Sequence, residues 1–218
     1  MKDELLVKGI IISTAPQGEY GRRVCLLTDK LGKVTAFAGG AAKAGSKIIG
    51  AVRPMTCASF SLAKGRSAYN LHSVEVIDSF GELAFDFDLS VMAMYVLEAG
   101  EYFSAEGMPE EEAKALLNLM YVTLKALREK ELSPELIRRI FELRLLVLQG
   151  EYTLVPGYAE QEGTAELWRK CISSSLTALY DPAFFKGQDT AEFEDNAGQL
   201  FSRQVNHKFR TLSVLRDL

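Results

Sequence analysis

The sequence predicts an α+β protein in which a small antiparallel β-barrel, residues 1–80, precedes an all-helical domain, residues 81–218. Short β-branched or alternating runs separated by turn residues fill the first 80 positions. Beyond Phe80 the apolar residues recur at helical spacing instead. The charge balance changes sign at the same place, from basic to acidic. A chain of 218 residues has room for two small domains.

Five runs in the first part are predicted strands. "KGIIIST" and "RRVCLLT" flank the turn-forming "APQGEYG", and "DKLG" joins the second run to "KVTAFAG" as a short hairpin connection. "MTCASFSLA" and "AYNLHSVEVIDSF" follow, joined by the tight turn "KGRS". The glycine-rich "GGAAKAGSKIIGAVRP" between the third and fourth runs is a predicted loop. Five short strands with hairpin turns are typical of a small barrel or a strongly curved sheet.

The second part has clear helix boundaries. "GMPEEEAKALLNLMYVTLKALREKEL" begins with proline and acidic residues, as a helix N-terminus favours. In "LSPELIRRIFELRLLVLQG", Ser133 is the predicted N-cap, Pro134 the first helical residue and Gly150 the stop. This helix is apolar on more than one face, so we expect it at the centre of a bundle.

The net charge of −4 conceals an asymmetry. Residues 1–80 contain 11 Lys/Arg and 6 Asp/Glu, a net of +5, whereas residues 81–218 contain 14 Lys/Arg and 23 Asp/Glu, a net of −9. A local basic segment in an acidic chain suggests a polyanionic partner for the barrel. A solvated basic face balanced by an acidic neighbour explains the same numbers, and charge alone does not decide between the two.

Catalytic signals are weak. His72 and His207 are the only histidines, and no motif places a nucleophile and an acid with either of them. His72 fits a structural strand position, and His207 fits an exposed polar position or a phosphate contact. No Cys or His pairs have zinc spacing, and "FAGGAAKAGSK" lacks the residue order of a phosphate-binding loop. We therefore expect no enzyme, no cofactor and no metal.

The cellular compartment is expected to be the cytoplasm. The three cysteines, Cys25, Cys57 and Cys171, are scattered and odd in number, which favours free thiols in a reducing compartment. The N-terminus carries acids and only a short apolar run, unlike a signal peptide, and no run approaches the roughly 20 residues that span a bilayer.

Aromatic residues lie among the basic residues of the barrel segment, as a nucleic-acid groove requires, although barrels with basic loops also bind proteins and acidic ligands. Phe37 and Phe60 are assigned to the core, and the turn residue Tyr20 is the aromatic expected to be exposed. Because Arg22 and Arg23 are adjacent in a strand, one side chain goes to each face, and the sequence leaves open which one is structural. The candidate nucleic-acid-binding residues are Tyr20, Arg22, Arg23, Lys33, Lys43, Lys47, Arg53, Lys64 and Arg66.

The segments "GEYGRRVCLLTDKLGKVTAFAGGA", "SKIIGAVRPMT" and "GRSAYNLHSVEVIDSF" closely resemble the N-terminal domain of the RecO family of DNA repair and recombination mediators. "LSPELIRRIFELRLLVLQGEY" resembles a central helix of that family, and "FSRQVNHKFRTLSVLRDL" is more loosely similar to its C-terminal end. The resemblance implies an OB-fold followed by a helical domain. It also implies binding of single- and double-stranded DNA, strand annealing, association with the nucleoid, and action with RecR in loading RecA on DNA coated by single-strand-binding protein.

The sequence departs from the family at a metal site. Many RecO-like proteins carry four zinc-binding cysteines after the segment that corresponds to "LQGEY", in a subdomain matching residues 151–190. This chain has only Cys171 there, so we predict a subdomain without metal, held by packing around Trp168, Leu176 and Phe184.

The resemblance also implies that the helical domain binds the acidic, Phe-ended tail of single-strand-binding protein. A chain-terminal carboxylate needs cations beside an apolar pocket. The candidates are Arg138, Arg139 and Arg144, although the sequence favours their pairing with neighbouring acids such as Glu135 and Glu142 at helical spacing. An alternative for the whole protein is an interaction adaptor of the same fold with weak or no DNA binding.

Overall fold

The N-terminal part is a closed five-stranded barrel. The structure is a computed structural model that describes residues 4–40, 46 and 48–216. The strand order around the barrel is β1-β2-β3-β5-β4, and pairing of β1 with β4 closes it. Neighbouring strands are antiparallel except for a short parallel pairing of β3 with β5. The strands are β1 (Glu4–Gln17), β2 (Gly21–Thr28), β3 (Gly32–Ala38), β4 (Thr56–Lys64) and β5 (Tyr69–Ser79).

The first strand is long because it serves two neighbours. Its N-terminal part pairs with β4 and its C-terminal part with β2, and the register shifts between Ile11 and Ser13. Such a bulge increases local twist and bends a strand, which lets one strand close a barrel. Gly9 pairs with both neighbours, opposite Thr28 of β2 and Ala58 of β4, and a Cβ there would lie 2.5 Å from the Leu27 carbonyl oxygen. The glycine therefore permits close approach of β1 and β2.

Alternate residues of the strands fill the barrel. In β2 and β3 the inward side chains alternate with outward ones, as a pleated strand requires. Phe60 is fully buried at the barrel centre, which confirms its assignment to the core. The buried barrel residues are Val7, Ile11, Val24, Leu26, Val34, Ala36, Ala38, Val52, Ala58, Phe60, Leu62 and Leu71.

The C-terminal part is helical. A short 3-10 helix, Gly81–Phe85, follows the barrel, and another, Pro182–Phe185, lies between α5 and α6. The α-helices are α1 (Phe87–Phe103), α2 (Glu110–Glu129), α3 (Pro134–Gln149), α4 (Glu162–Ser173), α5 (Leu176–Leu179), α6 (Ala191–Gln204) and α7 (Arg210–Arg216).

Helix α3 begins and ends where the sequence predicts. Its N-cap Ser133 accepts a hydrogen bond from Leu136 N at 3.2 Å, Pro134 is its first residue, and Gly150 ends it in the left-handed region at φ 73°. The helix packs against α1, α2, α4 and α6, which confirms the expected central position.

The barrel and the helices are joined by apolar packing and by polar contacts. Ile10, Ile12 and Leu27 of the barrel belong to the same buried cluster as the helical core. Lys33 N donates to Ala105 O at 3.0 Å, and Asp78 forms a two-pronged ion pair with Arg128 of α2. Because the barrel and the helices share this buried core, the division of the chain into two domains at residue 80 remains a prediction.

The predicted fold class is confirmed. A barrel precedes helices, as the change of periodicity indicates, and the barrel is a five-stranded closed sheet of OB type. Within the described residues, no helix combines the length and the apolar character needed to cross a bilayer.

Candidate nucleic-acid interface

The outer surface of β2 and β3 carries a cation beside an aromatic ring. Arg23 lies opposite Phe37 across the strand pair, and the row continues to Ala15 in β1 and Asn70 in β5. Arg23 is exposed and Phe37 half-buried. Directly opposed side chains in an antiparallel pair lie about 4.5–5.5 Å apart at Cβ, so cation and ring form one surface. We call these four residues the barrel row.

The structure distinguishes Arg22 from Arg23. Arg22 shares the phase of Val24 and Leu26, which face the barrel interior, and it lies opposite Ala38 at the barrel end. Arg23 has the outward phase. Neither forms an ion pair with any described residue, but only Arg23 faces the outer surface of the sheet. Of the two, Arg23 is therefore the one placed to contact a ligand on this face.

Two turns flank the barrel row. Tyr20 lies exposed in the β1–β2 turn, which begins at Gly18 with φ 63°. A hydrogen bond to Glu19 raises the pKa of the Tyr20 phenol. Lys64 and Arg66 lie exposed in and beside the β4–β5 turn, which the Gly65 N to Ala68 O hydrogen bond of 2.9 Å closes. These two turns and the β2–β3 face are the surfaces that OB barrels use for oligonucleotides.

Lys33 has a different environment from the other candidates. It lies on the outer face of β3, but its Nζ donates to Glu101 O of α1 at 2.9 Å, and the side chain is half-buried. The Lys33 ammonium therefore links the barrel to α1 and is less accessible to a ligand than an exposed lysine would be. Of the remaining candidates, Arg53 is exposed before β4, while Lys43 and Lys47 lie outside the described residues.

A cleft separates the barrel row from α1. It measures about 230 Å³ and is lined by Ser13, Thr14, Ala15, Arg23, Cys25, Thr35 and Glu101. Burial, together with the Glu101 carboxylate, raises the pKa of the Cys25 thiol to about 11, so this cysteine remains protonated at neutral pH. Glu101 marks the edge of the basic surface on this side.

Phe37 was assigned to the core from the sequence, and that assignment is wrong. It belongs to neither apolar cluster of the described residues and has the outward phase. The signal was available in the strand itself: Val34, Ala36 and Ala38 form the buried set of β3, which places position 37 on the other face.

The arginines of α3 are already paired. Arg138 Nε and Arg139 Nη1 donate to the carboxylate of Glu142 at 3.0 and 2.7 Å, and Tyr95 Oη donates to it at 2.8 Å. Glu142 is only 1% exposed, so its charge depends on these donors. Both arginines also pair with Glu135. The interpretation that these arginines pair with acids at helical spacing is therefore correct for Arg138 and Arg139.

Arg144 has a structural position. Its Nη1 donates to the carbonyl oxygens of Cys171, Ile172 and Ser174 at 3.0, 2.5 and 3.3 Å, at the C-terminal end of α4. A cation there satisfies carbonyls that lack helical partners. Arg144 thus holds α4 against α3.

A pocket nevertheless opens beside Arg138 and Arg139. It measures about 390 Å³, and its walls combine cations with apolar side chains from α6 and the segment before α7. The Nε of Arg139 is buried without a hydrogen-bond partner among the described residues. The lining residues are Arg138, Arg139, Glu142, Phe201, Ser202, Val205, Asn206, His207, Lys208, Phe209, Leu212 and Ser213.

The region expected to lack zinc is packed around an aromatic pair. Trp168 is fully buried, lies edge-on to Phe193 with ring centroids 5.8 Å apart, and donates from Nε1 to Thr153 O at 2.8 Å. Leu176 and Phe184 pack against the same cluster. Among the described residues, no three His, Cys, Asp or Glu side chains are grouped as metal ligands.

Comparison with known proteins connects this barrel to a family. The family model described as "Recombination protein O N terminal" matches residues 1–80, which include the whole barrel. The DNA repair protein RecO of Alkaliphilus metalliredigens is 32% identical over 148 residues, 67% of this chain and 59% of the relative. That of Caldicellulosiruptor saccharolyticus is 27% identical over 208 residues, 95% of this chain and 79% of the relative. The chain belongs to the RecO family.

Most of the similarity lies in the barrel and the first helices. The matched part spans somewhat more than half the length of several RecO relatives, for example 55% of the Dehalococcoides mccartyi protein, which is 35% identical over 144 residues. The RecO family match thus covers the barrel row and both flanking turns.

Proposed function

We propose that this chain is a DNA-binding recombination mediator in DNA repair whose barrel binds nucleic acid along the barrel row. The observation that supports this most directly is the pairing of exposed Arg23 with outward-facing Phe37 on the face that OB barrels use. Arg23 forms no ion pair with any described residue, so its charge is available to a phosphate.

The chemistry suits binding without sequence preference. Cations that neutralise phosphates release condensed counterions, and an aromatic ring accepts any base by stacking. Lys64 and Arg66 add exposed charge in the β4–β5 turn beside the row, and Arg53 is a further exposed cation before β4. An annealing protein must neutralise two backbones while it holds bases loosely enough to exchange partners. Charges on turns beside one small stacking surface meet both requirements for single- and double-stranded DNA.

Similarity to RecO proteins supports a wider role as a proposal. RecO-like proteins act with RecR and help a recombinase to load on DNA coated by single-strand-binding protein, and we propose the same place for this chain, at the nucleoid. The role assigns no catalytic step to the chain.

The test is fluorescence anisotropy of a labelled single-stranded oligonucleotide across a salt series. Each neutralised phosphate contributes about −0.7 to the slope of log K against log salt for single strands. We expect Arg23→Ala to flatten the slope by about that amount. Arg22→Ala is the matched control, because it removes the same charge one residue away from the outer face.

Two results would change the proposal. If the protein binds no DNA even at low salt, the family fold serves as an interaction adaptor instead. If both arginine variants flatten the slope equally, DNA contacts the barrel end and not its outer face.

We further propose that the 390 Å³ pocket beside α3 binds the acidic, Phe-ended tail of single-strand-binding protein. Phe201 and Phe209 supply apolar walls, and Lys208 supplies an exposed cation for a carboxylate. Arg138 and Arg139 contribute to the positive side of the pocket while remaining paired with Glu142. Arg144 is not part of this pocket, because it binds the end of α4.

Lys208→Ala is the variant that tests the pocket. Arg139→Ala is unsuitable, because it would remove a partner of the buried Glu142 and destabilise the helices. We expect Lys208→Ala to weaken binding of an acidic Phe-ended peptide, measured by calorimetry, and Lys186→Ala, an exposed lysine outside the pocket, to leave it unchanged. Equal affinity of the amidated and free-carboxylate peptides would remove the proposal.

A further inference from the structure

The C-terminal segment of the helical part is basic, although that part as a whole is acidic. Residues 196–216 contain Arg203, Lys208, Arg210 and Arg216 and not one Asp or Glu. Residues 81–218 as a whole have a net charge of −9. This stretch of the chain is therefore positive, with Lys208 and Arg210 exposed. The DNA site on the barrel does not account for it.

An exposed aromatic stack lies within this segment. The rings of Tyr102, at the end of α1, and His207 are stacked, with centroids 4.4 Å apart and planes inclined by 24°. Tyr102 is 47% exposed, and His207 is also exposed. The buried ring of Phe209 supports both from beneath, with centroids 5.7 Å from Tyr102 and 4.7 Å from His207. The pair is a fixed flat surface on which a further ring can stack.

The segment is held rigidly at this place. The carboxylate of Glu98 accepts hydrogen bonds from the backbone N–H groups of Arg210 and Thr211 at 2.9 and 3.0 Å. The Arg210 side chain is 96% exposed and only 3.8 Å from Glu98 at its nearest, so its guanidinium remains largely available. Lys208 forms no ion pair with any described residue, whereas the Arg203 guanidinium lies over the Tyr158 ring, 5.3 Å from its centroid. A fixed ring pair and an exposed guanidinium, that of Arg210, thus occur on one short stretch.

The stack lies next to the barrel row. Glu101, the residue before Tyr102, lines the same cleft as Arg23, and its carbonyl oxygen accepts the hydrogen bond from Lys33. Successive helix residues differ by about 100° in direction, so Glu101 faces the barrel while Tyr102 faces the C-terminal segment. One turn of α1 therefore connects the two surfaces.

We propose that Tyr102, His207 and Arg210 form a second contact for single-stranded nucleic acid, continuous with the barrel row. A strand leaving the barrel face crosses the end of α1, stacks a base on the Tyr102–His207 pair and places its next phosphate on Arg210. This inference rests on the proposed DNA binding by the barrel. A single strand suits the surface better than an acidic peptide, because the exposed rings offer a flat stacking face and both surfaces border the same turn of α1.

The test compares oligonucleotides of two lengths. One of about 8 nucleotides fits a single OB barrel, and one of about 30 exceeds the longest site of one barrel by nearly twofold. Tyr102→Leu keeps an apolar side chain against Phe209 but removes the flat ring, and Tyr152→Leu is the control at an exposed tyrosine outside the stack. Arg210→Ala and Lys186→Ala form a second such pair.

We expect Tyr102→Leu to weaken binding of the long oligonucleotide about fivefold, the lower end of what one base stack contributes, and to leave the short one unchanged. Arg210→Ala should flatten the salt slope by about 0.7 for the long oligonucleotide alone. Both controls should match the wild type.

Each contrary result has a distinct meaning. If the wild type binds both oligonucleotides and Tyr102→Leu binds the long one normally, the second contact does not exist, while the barrel proposal stands. If Tyr102→Leu weakens both lengths equally, the stack is not a separate contact and the inference fails. If the variant loses the acidic Phe-ended peptide and keeps DNA, the segment serves peptide binding and the inference is overturned. If Arg23→Ala has no effect while Tyr102→Leu does, the barrel proposal fails and the second contact remains.

Discussion

Asp78, at the end of β5, connects the barrel to α2, and Asp78→Asn tests the strength of that connection. Arg128 Nη1 and Nη2 donate to the two Asp78 oxygens at 2.8 and 3.1 Å, and Tyr121 Oη donates to Oδ2 at 3.2 Å. The side chains of Asp78 and Arg128 are 21% and 29% exposed. Exposed pairs contribute about 0–1 kcal/mol, and removing one member of a buried pair costs about 3–5 kcal/mol. This pair lies between those limits, so we expect a loss of about 2 kcal/mol.

The pH dependence gives the same prediction a second measurement. Hydrogen bonds from Arg128 lower the pKa of Asp78 in the folded state. The stabilisation is therefore fully present above the pKa of an unfolded aspartate, about 3.9, and is lost as the pH falls through the lower folded value. The gap in unfolding free energy between wild type and Asp78→Asn should be constant from about pH 5 upward and should close below about pH 4.

Urea unfolding followed by fluorescence of Trp168, the single tryptophan, measures the loss of unfolding free energy and its pH dependence. In thermal unfolding, at about 2–4 °C per kcal/mol for a chain of this size, the melting temperature of Asp78→Asn should be lower by about 4–8 °C. Glu166→Gln is the control, because it makes the same acid-to-amide change in an exposed pair with Lys170 and should cost less than about 0.5 kcal/mol. A loss at Asp78 no larger than the control, or a gap that stays open at low pH, would refute the reasoning.

Three further substitutions test the interior. Glu142→Gln removes the buried charge to which two arginines and a tyrosine donate hydrogen bonds. The free energy of unfolding in urea should therefore fall by about 3 kcal/mol or more. A decrease of less than about 1 kcal/mol would mean that these hydrogen bonds do not stabilise the helices. Gly9→Ala places a Cβ 2.5 Å from the rigid carbonyl oxygen of Leu27 and should cost about 2 kcal/mol, whereas Gly100→Ala meets only the flexible thioether of Met120 and should cost less. Thermal unfolding compares these two variants, and equal melting temperatures would contradict the steric argument.

Local rules predicted the elements well. Ser133, Pro134 and Gly150 define α3 because capping depends on neighbours in sequence. The strand pattern and turn residues predicted the barrel for the same reason. The pairing of Arg138 and Arg139 with Glu142 was also within reach, because three- and four-residue spacings bring helical side chains together.

The parts of the candidate site that depend on distant contacts were not predictable in this way. Lys33 looked like any other cation of the basic segment, yet its partner lies 68 residues away in α1. Arg144 finds its carbonyl partners 27–30 residues away in α4. Composition alone does not distinguish cations that are exposed from cations that are hydrogen-bonded within the fold. The packing of the helices on the barrel makes that distinction.

The hydrogen bond from Lys33 to Glu101 has an electrostatic consequence for the cleft between the barrel row and α1. The carbonyl end of a helix carries roughly half a negative charge, and α1 ends beside the barrel row with the Glu101 carboxylate at its edge. Left bare, that helix end would repel phosphates passing between the barrel and the Tyr102–His207 stack. The Lys33 ammonium is hydrogen-bonded to the Glu101 carbonyl oxygen and offsets part of this repulsion. On the proposed path of a single strand across α1, Lys33 therefore reduces the repulsion without itself contacting the strand.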